Sequence, residues 1–278
     1  MSFGEILLSG VLQVLFWVGA IILTGVIIAL LNGLFYRAVG TNSYKVCIAT
    51  GCIGTPIHEL GHAFFCLVFG HKIVEMKLFS PDKESGTVGY VKHSFNEKNI
   101  YQRMGQFFIG VGPIIFGSGV LLLLLFLLVR PAFTSLATAM SSLGSAENSL
   151  GDYFTLIGSG FGGFFRTLFS GELVTTWQWW VMLLLGCMIA IHMNLSKADI
   201  DGAKLGLLLV IAIFALVPII VGIISSTAHW YVTTAMTSAA IYVMCVYALA
   251  IIFASISVAI VFLIRLFIIL VKKILRRG

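Results

Sequence analysis

The sequence predicts an all-α polytopic membrane protein with about six transmembrane helices and one small β-hairpin. Composition is the first observation behind this prediction: of 278 residues, 59% are hydrophobic and 10% are charged, and the mean hydropathy is +1.06. A water-soluble domain of this length could not bury so much apolar surface. The second observation is a series of long apolar runs, and the third is a short polar segment with the alternating pattern of β-strands.

Six apolar runs are long enough for membrane-spanning helices, which need roughly 17 to 25 mostly apolar residues. They cover approximately 7–35, 46–70, 104–129, 176–193, 203–224 and 236–264. A seventh segment, 153–170, is Gly-rich and contains Arg166, so we predict an interfacial or re-entrant segment there. We expect residues 1–278 to form a single membrane-embedded domain, because no internal repeat or linker divides them.

Basic side chains indicate the orientation of the chain. They concentrate in 71–103 and 272–277, whereas 131–152 and 225–235 contain no Lys or Arg. Because cytoplasmic loops carry an excess of Lys and Arg, we place both termini and the first of these segments in the cytoplasm. Arg37 weakly favours the opposite orientation, as does Lys45. A compact chain of this kind suits a bacterial plasma membrane, and its expected partner is the lipid bilayer, with no nucleic acid, because the basic residues do not cluster on a soluble domain.

A β-hairpin is predicted within 71–95, at the membrane surface between the second and third spans. Apolar and charged side chains alternate in VEMKL, residues 74–78, and TVGYV, residues 87–91, is a second β-prone run. The intervening SPDKESG supplies turn residues. The hairpin is either a solvated connector or an exposed edge strand that could pair with an extended peptide.

Two histidines and a glutamate interrupt the second apolar run, in the stretch GTPIHELGHAFF, residues 54–65. Helix positions four apart lie about 40° apart around the axis, so His58 and His62 point in the same direction and can share one metal ion, with Glu59 beside them. In the His-Glu-x-x-His arrangement of metalloproteases, the imidazoles ligate zinc and the glutamate accepts a proton from the water that zinc activates. The spacing therefore predicts a zinc site with its general base.

The alternative for this stretch is a polar packing cluster or a proton relay. An ionised side chain at the centre of a span costs about 2.5 to 3.5 kcal/mol on insertion scales, so such residues persist mainly where they have partners and a function. We therefore favour metal binding. Cys66 lies four residues after His62 and could approach the metal, but a buried cysteine is usually a small hydrophobic residue.

A third protein ligand is expected, because catalytic zinc sites use three protein ligands and leave a fourth position to water. A second polar cluster, HMNLSKADIDG, occupies 192–202 between the fourth and fifth spans. With these two motifs and GVGPIIFG at 110–117, the chain resembles the site-2 protease family of intramembrane zinc proteases. In that family an aspartate from a later Asn-x-x-Pro-x-x-x-Leu-Asp-Gly segment joins the two histidines. This chain has Asn194 and an Asp201-Gly202 pair, but it lacks the proline and the spacing is shorter.

The third ligand is therefore Asp199 or Asp201, which lie about 200° apart on a helix and cannot both face the zinc. Asp201 has Lys197 and Lys204 as helical neighbours that would pair with it. Ser196 could cap the helix, with Asp199 three residues further on. We favour Asp199 and keep Asp201 as the alternative.

Several other polar residues have a functional and a structural interpretation. Asn194 matches the asparagine of the family motif and could donate a hydrogen bond to a substrate carbonyl or an oxyanion, or it could cap a helix end. His192 could orient a ligand or the substrate, or it could belong to a polar helix end. His71, His93 and His229 look like loop or interface residues.

The resemblance implies a zinc-dependent intramembrane endopeptidase that hydrolyses transmembrane or membrane-anchored protein substrates. His58, His62 and Asp199 would hold the zinc, and Glu59 and Asn194 would act on the substrate. The alternative is a non-proteolytic membrane protein that uses a structural zinc site to bind or regulate a partner. Because a structural site is closed by four protein ligands, the geometry of the site separates the two.

Overall fold

A computed structural model of the chain describes residues 2–84, 86–144 and 150–275. The described residues are mostly helical, with one two-stranded antiparallel sheet. A π-helical turn, Leu15–Gly19, joins the first two α-helices, and a 3-10 turn, Gly40–Asn42, joins the next two. In chain order the elements are α1 (Phe3–Val14), α2 (Ala20–Val39), α3 (Ser43–Val68), β1 (Lys72–Lys77), β2 (Tyr90–Ser94), α4 (Ile100–Gly110), α5 (Gly112–Leu128), α6 (Arg130–Gly144), α7 (Leu150–Leu168), α8 (Gly171–Val174), α9 (Trp177–Ala190), α10 (Lys197–Ile224) and α11 (Ser226–Leu275).

Three helical stretches of the described chain are long and apolar enough to cross a membrane, namely Phe3–Val68, Lys197–Ile224 and Ser226–Leu275. The first contains a break at Gly40, whose φ of 70° favours glycine and ends α2. Helices α4 and α5 form a fourth candidate if the bent pair is counted as one span. The apolar helix α9 has 14 residues, which is short for a span. The helical fold class is confirmed, and the count of six spans stays a prediction.

The third predicted span is wrong as a single helix, because 104–129 is broken where α4 meets α5 and the two helices are bent by 60°. Pro113 stands in the first turn of α5. A proline has no N–H, so it cannot bond to the carbonyl four residues before it, which here belongs to Ile109. The break therefore leaves a backbone carbonyl available to another group.

The predicted spans leave 131–152 as a connection between helices, but all of its described residues are helical. Ala132 and Leu136 lie one helical turn apart on α6 and are both fully buried, so a short apolar stripe explains the helix. Helix α6 packs against α7, and a Cβ added at Gly160 of α7 would lie 2.6 Å from the Cβ of Ala139. Residues 145–149 lie outside the described residues. The interfacial or re-entrant placement of 153–170 stays a prediction.

The predicted hairpin is confirmed. Strands β1 and β2 pair in antiparallel register, with Met76 opposite Val91 and an irregularity between Ile73 and Glu75. The two arms continue beyond the strands, since the Ser80 N–H donates to the Val88 carbonyl at 2.7 Å. Residues 78–89 therefore form the extended end of the hairpin, of which Ser85 lies outside the described residues.

Close backbone contacts at glycines bring the helices together around the predicted site. A Cβ added at Gly61 of α3 would lie 2.9 Å from the carbonyl carbon of Gly112 and from the Cα of Pro113, so α3 crosses the start of α5 backbone to backbone. On α4, a Cβ added at Gly110 would lie 2.8 Å from the Cβ of Ala203 in α10. The first turn of α10 is thereby held against the end of α4. These contacts set the positions of the polar motifs.

Substitution of Gly61 by Ala tests the contact between α3 and α5. The added methyl group would meet backbone atoms that cannot rotate away, so we expect Gly61→Ala to lower the free energy of unfolding by about 1 to 3 kcal/mol. Gly119→Ala in α5 is the matched control, because nothing lies within 4 Å of a Cβ added there. Thermal unfolding of the metal-free protein in detergent measures both. Equal midpoints for the two variants would contradict the proposed packing.

Candidate metal centre

His58 and His62 face each other from adjacent turns of α3. Their ring centroids are 4.9 Å apart, and their Nε2 atoms are 3.1 Å apart. His62 is buried and His58 is half-buried. The spacing of four residues thus produces the shared direction that the sequence predicts.

Two backbone carbonyls fix the protonation of both rings. The Nδ1–H of His58 donates to the His192 carbonyl at 2.7 Å, and the Nδ1–H of His62 donates to the Ile109 carbonyl at 2.7 Å. A carbonyl oxygen can only accept, so each neutral ring carries its proton on Nδ1 and presents a lone pair at Nε2. The two Nε2 atoms are therefore both acceptors and cannot bond to each other.

Neither carbonyl accepts a hydrogen bond from the backbone N–H four residues later. The partner of Ile109 would be the N–H of residue 113, which is proline. His192 lies in the turn after α9, and the N–H of Ser196 donates to Oδ2 of Asp199 at 2.6 Å. The two carbonyls, which lie near the ends of α4 and α9, thus accept hydrogen bonds that orient the two histidines.

Asp199 adds a carboxylate to the same point. Its Oδ1 lies 3.2 Å from Nε2 of His62, and its Oδ2 lies 3.9 Å from Nε2 of His58. The ligand atoms of the three residues all lie within 4.8 Å of one another. Three acceptors repel one another at these distances unless a cation lies between them.

The donor set and its spacing fit zinc. Zinc binds imidazole nitrogen and carboxylate oxygen at about 2.0 to 2.2 Å, so two ligands of a tetrahedral site lie roughly 3.3 Å apart. The separations of 3.1 and 3.2 Å are close to this value, and the ligand atoms of all three residues lie within 4.8 Å of one another. The backbone hydrogen bonds to both Nδ1 atoms are also what metal-bound histidines commonly make.

The structure distinguishes the two aspartates that the sequence leaves open. Asp201 is exposed and accepts a hydrogen bond from Nζ of Lys204 at 2.7 Å, and it does not belong to the cluster of His58, His62 and Asp199. The predicted cap of α10 is confirmed. The Ser196 hydroxyl accepts a hydrogen bond from the Asp199 N–H at 3.2 Å, and the Asp199 carboxylate accepts one from the Ser196 N–H. The cap aims Oδ2 of Asp199 at the helix start and leaves Oδ1 beside Nε2 of His62.

A cavity of about 720 Å³ surrounds this cluster. Glu59 lines it and is buried. A Cβ added at Gly89 of the hairpin would lie 3.0 Å from Cγ of Glu59, so the hairpin packs directly on this side chain. Asn194 lines the cavity and is exposed. Cys66 is fully buried and is not a member of the metal-binding cluster among the described residues.

His192 holds the loop between α9 and α10 against α3. Its Nε2 lies 3.0 Å from the hydroxyl of Thr50, and its Nδ1 lies 3.4 Å from the hydroxyl of Thr55. A Cβ added at Gly54 would lie 2.6 Å from the His192 ring, so the ring fills a notch in α3. The ring therefore anchors the residue whose carbonyl orients His58.

Sequence reasoning missed one pair of polar residues at this site. His71 and His93 were expected in loops or interfaces, but His71 is buried and His93 lines the cavity. Their Nδ1 atoms are 3.1 Å apart. The sequence feature that could have indicated the position of His93 is the alternation of the second hairpin arm, which places Gly89, Val91 and His93 on one face.

No protein-family model matches this chain, and neither a curated protein nor a solved structure matches it. The assignment of the site therefore depends on its geometry. The resemblance to the site-2 protease family stays an interpretation of two motifs and their order along the chain.

Removal of one carboxylate should remove the metal. We expect about one zinc per purified wild-type chain, and nearly none in Asp199→Asn, because the amide keeps the shape of the side chain but loses its charge. Asp201→Asn is the matched control and should keep its zinc. Elemental analysis of the detergent-solubilised proteins measures the content. Retention of zinc by Asp199→Asn together with its loss from Asp201→Asn would contradict the ligand assignment.

Proposed function

We propose that this protein is a zinc-dependent intramembrane endopeptidase of the site-2 protease type. The observation that carries the proposal is the convergence of His58 Nε2, His62 Nε2 and the Asp199 carboxylate, with Glu59 beside them in a cavity. Apolar helices long enough to cross a membrane support a substrate within or near the bilayer. The reaction class is the hydrolysis of a peptide bond.

The residues of the site have separate roles in this reaction. Zinc held by the two histidines and Asp199 would polarise the substrate carbonyl and lower the pKa of a water molecule. Glu59 accepts the proton of the attacking water and later donates it to the leaving amine. The Asn194 amide donates a hydrogen bond to the carbonyl oxygen, on which negative charge develops.

The number of ligands favours catalysis over a structural zinc site. A structural site takes four protein ligands, whereas a catalytic site takes three and keeps one position for water or substrate. Within the part of the chain that the structure describes, three side chains form the cluster, and a cavity of about 720 Å³ adjoins them. The site thus has both the coordination and the space that hydrolysis requires.

The hairpin provides a place for an extended peptide. The cavity is lined by 86–91 and His93, all of which belong to the second arm of the hairpin. A peptide bond within a helix is shielded by its own hydrogen bonds, so a helical substrate has to unwind locally before attack. Pairing with the second arm would hold the unwound segment as an added strand next to Glu59.

Replacement of the general base tests the proposed function. We expect Glu59→Gln to bind zinc as wild type does but to cleave about 10²- to 10⁴-fold more slowly, because the amide cannot accept the proton. The assay uses a library of single-span peptides in detergent micelles, with products identified by mass spectrometry.

Glu172→Gln is the matched control, since Glu172 is exposed on α8 and does not line the cavity. It should cleave near the wild-type rate. Cleavage by Glu59→Gln at the wild-type rate would contradict the proposal. Zinc binding by a wild-type protein that cleaves none of the peptides would favour the non-proteolytic alternative.

A further inference from the structure

A pair of histidines adjoins the cavity at the hairpin, and the proposed reaction does not use it. His71 directly precedes β1 and is buried, with its ring stacked on Phe95 at 4.9 Å between centroids. His93 lies on β2 and lines the cavity. Buried imidazoles need hydrogen-bond partners, and these two partner each other.

The hydrogen bonds of the pair fix both tautomers. The Nε2–H of His71 donates to the Gln102 carbonyl at 2.8 Å, so Nδ1 of His71 is an acceptor. The Nδ1 of His93 lies 3.1 Å from that atom and must therefore carry a proton and donate it. This leaves a lone pair on Nε2 of His93, on the edge of the ring that faces away from His71.

The alternation of β2 directs that edge toward the cavity. Tyr90 and Lys92 face one way, since both donate hydrogen bonds to Glu75. Gly89 faces the other way, against Thr55 and Glu59 of α3. Successive side chains on a strand alternate, so His93 shares the face of Gly89, which packs on α3, and His93 itself lines the metal cavity.

We propose that His93 is a substrate-positioning residue, whose Nε2 accepts a hydrogen bond from a backbone N–H of the peptide held along the second hairpin arm. The inference rests on the proposed function and deepens it, because it assigns an extended peptide backbone as the ligand of this face. Gln102 and His71 act through His93 by fixing the acceptor tautomer.

The surroundings of the pair keep it in the accepting form. Burial lowers the pKa of His93 to about 4, and the neighbouring His71 and His62 contribute to the decrease. Burial also lowers the pKa of His71. Both rings are therefore uncharged at neutral pH, where the acceptor is needed.

Two hydroxamates test the proposal without a known substrate. Acetohydroxamate contacts only the metal. An N-acetylated dipeptide hydroxamate also places peptide N–H groups beside the metal. We expect His93→Phe to weaken dipeptide hydroxamate binding to the zinc-loaded protein by about 5- to 15-fold, through loss of one hydrogen bond. Acetohydroxamate binding should not change, and His93→Gln, which keeps an acceptor, should restore most of the affinity. Lys92→Gln, on the opposite face of β2, is the control and should bind both as wild type does.

The outcomes separate the two proposals. If wild type binds both hydroxamates and His93→Phe weakens neither, the role of His93 is overturned and the metal centre stands. If wild type binds neither, the metal centre itself is overturned, and the role of His93 with it. A second readout needs no variant: ¹⁵N spectra of the histidine side chains in wild type should show the Nδ1–H tautomer for His93, and the Nε2–H tautomer would overturn the proposal.

Discussion

The candidate site depends on two hydrogen bonds from histidine rings to backbone carbonyls, His58 to His192 and His62 to Ile109. They fix the tautomers that turn both Nε2 lone pairs toward Asp199. They also tie α3 to two separate parts of the chain, the start of the α9–α10 loop and the end of α4. Because the carbonyls belong to the backbone, the orientation of the ligands is a property of how the helices end and pack.

The two carbonyls lie near helix ends, and the hydrogen bonds from the histidines offset the free energy that unpaired carbonyls would cost. A carbonyl without a partner in apolar surroundings is unfavourable by a few kcal/mol. Pro113 leaves one such carbonyl at the end of α4, and the other belongs to His192 in the turn after α9. Each histidine satisfies one of them. The proposed metal ion would complete the same network by neutralising the three acceptors, and would thereby stabilise so polar a cluster among apolar helices.

The sequence predicts the parts of this arrangement that depend on short-range spacing. His58 and His62 share a helix face because of the four-residue period, and the capping preference of Ser196 favours Asp199 over Asp201. The hairpin follows from its alternation. The break before Pro113 and helix α6 were missed because apolar composition alone does not show where a helix bends or how a short apolar stripe is buried. The role of His93 depends on contacts with His71 and α3, which hairpin alternation alone does not specify.

Zinc K-edge X-ray absorption of the purified protein tests the central claim, which is a metal centre with three protein ligands and one exchangeable position. The proposed centre predicts four nitrogen or oxygen neighbours at about 2.0 to 2.2 Å, with outer-shell scattering from two imidazoles. It also predicts that acetohydroxamate alters this first shell. Sulfur at about 2.3 Å, a third imidazole, or a first shell that acetohydroxamate leaves unchanged would contradict it.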